Sequence, residues 1–244
     1  MRLRIVVATA AAAGLLSGAC LWGGDDLLFD PARGDDLAHA ALPDVEDIPG
    51  DDWSLVAIDE FDEGDSQLPA DTTNCRRMLQ MSDAVDESSD RHRTGRAKIE
   101  VARAGSNDID TEIEVHVSVF EDTDTPRDAL ETFRRYFKSS ALRGCFEDLL
   151  KESVREFPGL EVDSQVVASA SEVVSDAEGA AFVVKVEGDG VSIGFRMELY
   201  AWRTGNAGIS VEIAGAEGDI SREDVEALLT ALQLGVKEAA RTAQ

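Results

Sequence analysis

Few side chains in this chain could carry out a reaction. There are three histidines, three cysteines and a knot of arginine and lysine in an otherwise acidic sequence. A Ser/His/Asp relay needs a histidine that a serine and a carboxylate can both reach. His39 lies among acids and prolines near the start, so only His92 or His116 could serve. His92 stands in Arg91-His92-Arg93, and His116 on the polar side of an alternating run; both read as surface residues. Neither Gly-x-Ser-x-Gly nor His-Glu-x-x-His occurs. No spaced His/Cys/Asp set suits zinc. The acids from Asp59 begin like a calcium loop, with Gly64 at the sixth position. Phe61 then falls at the third, and Ala70 at the twelfth, where a Glu should bind. The expectation is a chain that is not an enzyme and holds no metal or cofactor.

Two clusters could bind rather than react. Arg91, Arg93, Arg96, Lys98 and Arg103 are crowded together in an acidic chain. They read mainly as internal balance for neighbouring carboxylates, and Arg91, Arg93, Arg96 and Lys98 as a candidate anion-binding rim. Phe133, Tyr136, Phe137, Phe195, Tyr200 and Trp202 could line a small-molecule pocket between helix and sheet, although core packing is the simpler role.

The first twenty residues set the location. Arg2 and Arg4 precede a short apolar run, 5–16, and small residues follow. That layout is a secretory signal, and the run falls short of the roughly 20 residues a bilayer span needs. Ser17-Gly18-Ala19-Cys20 resembles the bacterial lipobox, with Leu16 one place early. The resemblance implies cleavage after residue 19 and a diacylglyceryl thioether on Cys20. Two or more acyl chains hold stably where one does not. Lipidation of Cys20 would leave Cys75 and Cys145 as an even pair. In an exported protein they would form a disulfide, two buried free thiols being the alternative.

The formal charge is −26, from 23 basic and 49 acidic residues, and cleavage before Cys20 removes two arginines and no acid. This excludes a nucleic-acid binder, which needs a basic face to displace counterions. Cationic partners are favoured instead. Residues 21–65 hold fifteen acids against one base, Arg33, with prolines 31, 43 and 49 breaking any period. Residues 20–52 therefore read as a flexible acidic tether.

Residues 53–244 read as a single domain. A short apolar strand at 53–58 leads into a helical turn at 74–81. Strands at 97–102 and 109–120 alternate, with Ile113, Val115, Val117 and Val119 on one side. Thr125 and Pro126 start a helix with the apolar stripe Ala129, Leu130, Phe133 and Phe137. A second short helix spans 146–154. Strands follow at 164–174, 180–187, 191–202 and 208–213, and Ser221-Arg-Glu-Asp224 opens a last helix. The fold class is α+β, an antiparallel β-sheet with amphipathic helices packed on it.

That order of elements, with a cysteine on either side of two strands and a helix, resembles a group of actinobacterial exported domains. They include the LpqN-type lipoproteins and the extracellular sensor domain of the PknH-type kinases. The resemblance implies a Mog1/PsbP-like or PknH-sensor-like sandwich and a ligand or partner role. The kinase sensor has two disulfides; here cysteines remain for one. The expected function is a lipid-anchored module at the outer face of the cell membrane. It would bind a lipid-like or cell-wall ligand or an envelope protein, without catalysis. An envelope enzyme and a structural spacer are the alternatives.

Overall fold

The computed structural model describes residues 28–59, 72–77, 80, 89–137, 141, 144–145, 148, 161–170, 177–188 and 191–242. The signal segment, Cys20 and most of the expected helix at 146–154 lie outside them. Seven strands form one antiparallel sheet: β1 (Ser54–Ile58), β2 (Arg93–Arg103), β3 (Thr111–Phe120), β4 (Glu161–Ala170), β5 (Glu178–Gly188), β6 (Val191–Thr204) and β7 (Ala207–Ala216). Their spatial order is β1-β2-β3-β7-β6-β5-β4. Two meanders, β1 to β3 and β4 to β7, thus meet where β3 pairs with β7. The α+β class expected from sequence is the one observed, and most strands run longer than their apolar cores.

Among the described residues the sheet is covered by α1 (Gly34–Ala40), α2 (Asp124–Phe137) and α3 (Arg222–Thr242). The period of two explains why both faces need cover. Ile99 and Val101 of β2 share the first face with Val115 and Val117 of β3, Ile209 and Val211 of β7, and Tyr200 and Trp202 of β6. Leu37 and Ala38 of α1 and Leu228, Leu229 and Leu232 of α3 close over them. On the second face α2 lies over β5 and β6 and buries Ala129, Leu130 and Phe133. Ala129, Leu130 and Phe133 of the expected α2 stripe are buried, the side chain of Phe137 lying outside the described ones, but the cap is not Thr125. Asp122 accepts from the Asp124 and Thr125 amides at 2.8 and 2.7 Å. The start of α3 is a capping box: Ser221 Oγ accepts from the Asp224 amide at 3.1 Å, and the Asp224 carboxylate accepts from the Ser221 amide at 3.3 Å.

The expected flexible tether is corrected over residues 28–52. This stretch is a strap folded onto the first face, with Phe29, Leu37, Ala38, Ala41 and Ile48 buried in the core. Its composition misled because its order comes from distant partners. Asn206, in the β6–β7 turn, accepts from the Phe29 amide at 2.7 Å and donates to the Phe29 and Phe120 carbonyls at 3.1 and 2.6 Å. Asp35 Oδ1 accepts from the Arg96 amide at 3.1 Å. Helix α1 crosses β2 where both chains lack a β-carbon: one built on Gly95 would stand 1.9 Å from the Gly34 carbonyl carbon. Arg103 then stacks on Trp53, 4.6 Å from the ring centroid, at the end of the strap.

Candidate functional site

β2, β3 and β7 present a row of ionisable side chains on the second face, opposite the apolar core. The register sets Glu100, Glu114 and Glu212 side by side across the three strands. One row along stand Lys98, His116 and Ser210. The same alternation that turns Val115 and Val117 inward leaves Glu114 and His116 on this side.

Their electrostatics differ sharply. Lys98, almost buried, sets its Nζ 2.8 Å from Glu114 Oε2 and 3.4 Å from Glu100 Oε2. Burial pulls Lys98 down, but Glu114 and Glu100 outweigh it and the ammonium is held above its usual range. Burial pushes Glu114 up, and His116 and Lys98 more than reverse this, to about 2. His116 Nε2 bonds Glu114 Oε1. Glu212 is 5% exposed and neither carboxyl oxygen has a hydrogen-bond partner. Burial first, then Glu114 and Glu112, hold it well above the usual carboxylate range. Glu112 is also raised, by burial and then by Glu100 and Asp110. The row is thus a paired Lys98–Glu114–His116 group beside an unpaired acid.

The histidines stand beside carboxylates, as a catalytic relay would want, but no serine completes one among the described residues. Ser210 faces His116 across β3 and β7, yet its Oγ is buried without a hydrogen bond. His92 Nδ1 lies 3.5 Å from Glu121 and 3.7 Å from Asp122. His39 sits on α1 rather than in a loose tether, its Nε2 2.6 Å from Asp59 and its Nδ1 2.7 Å from the Asp35 carbonyl. Among the described residues no group of three His, Cys, Asp or Glu is placed to hold a metal.

The anion-binding rim expected of Arg91, Arg93, Arg96 and Lys98 does not form as a set. Alternation turns Lys98 into the carboxylate row, and Arg93 is nearly buried with its Nη1 2.5 Å from Asp90. Arg91 and Arg96 also have partners. Arg103 is engaged with Trp53 and donates to the Asp219 carbonyl at 2.6 Å. Of the cluster, Arg93 and Lys98 are thus engaged with carboxylates. Phe133, Tyr200 and Trp202 are core residues. Tyr200 donates to Glu198 and accepts from Arg222 at 2.7 Å. Cys75 and Cys145 are joined, with an S–S distance of 1.98 Å. Sequence reading missed Glu212 and Ser210. The available signal was a glutamate alone in the otherwise uncharged strand AGISVEIAGA.

No family model, curated protein or solved structure matches the chain. Among the described residues no helix is long and apolar enough to cross a membrane.

Proposed function

We propose that the protein is a lipid-anchored cell-envelope lipoprotein whose domain binds a partner or ligand without catalysis. The observation that carries this reading is the position of the strap. The first anchored residue among those described, Phe29, follows Cys20 by nine residues. At 3.3–3.6 Å per residue, that leash reaches about 30 Å at most. An acyl group on Cys20 would hold the folded domain within one domain's diameter of the lipid surface, where a long loose tether would let it roam. The disulfide adds support, since such bonds persist in the compartment an exported domain enters.

Intact mass of the protein extracted from host membranes tests the reading. A chain beginning at Cys20 with acyl mass added, alkylating at two further thiols only after reduction, is expected. A chain lacking acyl mass overturns the anchor.

A further inference from the structure

β1 ends the sheet, and among the described residues β2 is its one paired neighbour, on one side, leaving the other as an open edge. Such an edge is a template for another strand. Its sequence, SLVAI, has no charge. Leu55, Val56 and Ile58 are 49, 54 and 50% exposed, three consecutive apolar side chains apart from the buried Ala57. The register slips between Leu55 and Ala57, leaving Val56 unmatched on β2. Asp51 and Asp52 stand before the strand and Asp59 after it, the last already bonded to His39 Nε2 at 2.6 Å and to the Lys98 amide at 3.2 Å. Asp52 and Asp59 adopt φ of 65° and 54°, left-handed conformations that end the strand at both sides.

This charge pattern decides the occupant. A second copy pairing antiparallel with β1 would bring Asp52 of one chain towards Asp59 of the other. Like charges opposite one another destabilise such a pair, and each chain carries a formal −26. An extended segment with apolar residues at its centre and basic ends meets the reverse: apolar on apolar, with a cation beside Asp51 and Asp52 at the start of the strand. We propose that β1 is the docking edge for such a segment of a cationic partner, taken up as an eighth strand by backbone pairing. The edge is closed to the chain's own copies by the charges that open it to this partner. The inference does not depend on the lipid anchor.

The test titrates the full-length, disulfide-bonded chain in mild non-ionic detergent against two fluorescent nine-residue peptides. Each alternates valine and threonine through the centre; one carries two lysines at each end, the other two glutamates. The lysine peptide is expected to saturate with a Kd of tens of micromolar, at least about tenfold tighter than the glutamate peptide. Salt should weaken it, and exchange of the 54–58 amides should slow on binding. The double variant Leu55→Thr/Ile58→Thr keeps strand-forming residues at two half-exposed positions, and should weaken binding about tenfold with exchange in β3 unchanged. Asp51→Lys should weaken the lysine peptide and strengthen the glutamate one. Equal affinity for both peptides, no saturation below about 1 mM, binding indifferent to the double variant, or a dimer whose interface protects 54–58 would each overturn the proposal.

Discussion

Glu212 is the residue whose environment most contradicts its chemistry. A buried carboxyl with no partner costs free energy unless it stays protonated. Its folded pKa lies well above 4.5, so between 4.5 and that value the folded state holds a proton the unfolded chain has released. Stability from this group is therefore full below pH 4.5 and is lost as pH rises through the folded pKa. Glu114 has the opposite sign. Its folded pKa is about 2, so its contribution is present above 4.5 and disappears as pH falls towards 2. The span of 2.5 units corresponds to roughly 3 kcal/mol for the coupled group. Urea midpoints measured from pH 2 to 8 should rise and then fall, and Glu212→Gln should flatten the fall while leaving the acid limb. His39 is held above 6.5 by the Asp35 carbonyl and by Asp59, and adds a solvent-screened loss of the same sign at neutral pH. The comparison of Glu212→Gln with the parent isolates the Glu212 part. Lys98→Met, by contrast, strips Glu114 of its ammonium, and should cost about 3 kcal/mol at pH 7 in the same assay.

At the scale of elements, α1 is the part that sequence reading misjudged, and the reason is physical. β3 announces itself because Ile113, Val115, Val117 and Val119 alternate with polar residues in the period that a half-buried strand requires. α3 does so through its 3.6-residue stripe and its capping box. α1 is seven residues long, too short to show a period, and sits among acids. What holds it is non-local: the Gly34–Gly95 crossing and the Asn206 clamp lie 61 and 177 residues away from the positions they fix. The carboxylate row was half legible for the same reason. Alternation placed Glu114 and His116 together, but only the β3–β7 pairing brings Glu212 to them. Gly95→Ala should lift α1 off β2, since its new methyl has only backbone to displace, at a cost of about 1–3 kcal/mol or more. Asn206→Ala removes three bonds to buried backbone and should act in the same direction. Limited trypsin digestion reads both: cleavage at Arg33, slow in the parent, should accelerate in each variant. Unchanged cleavage would mean that the strap is held by its apolar contacts alone.

Among the described residues the two faces of the sheet are covered unequally, and the disulfide closes a loop that includes α2 of the smaller cover. The first face is closed by α1 and α3 over a continuous apolar cluster that includes β2, β3, β6 and β7. Among the described residues the second is covered by α2 over β5 and β6, and next to it the row of β2, β3 and β7 is ionisable rather than apolar. Cys75 and Cys145 bracket a loop that contains β2, β3 and α2, a separation of 70 residues. Closing such a loop removes unfolded-state entropy worth roughly 4 kcal/mol in the chain-entropy model. Reduction, or the double variant Cys75→Ser/Cys145→Ser, should lower global stability by about 2–4 kcal/mol in urea titrations. The loss should not be uniform, because local opening follows local contact. Amides of α2 should lose exchange protection first, while β3, β7 and α3, held by the first-face cluster, keep theirs up to the global transition. If α3 loses protection in step with α2, the two covers unfold as one unit, and the bridge supports the entire sandwich rather than its second face.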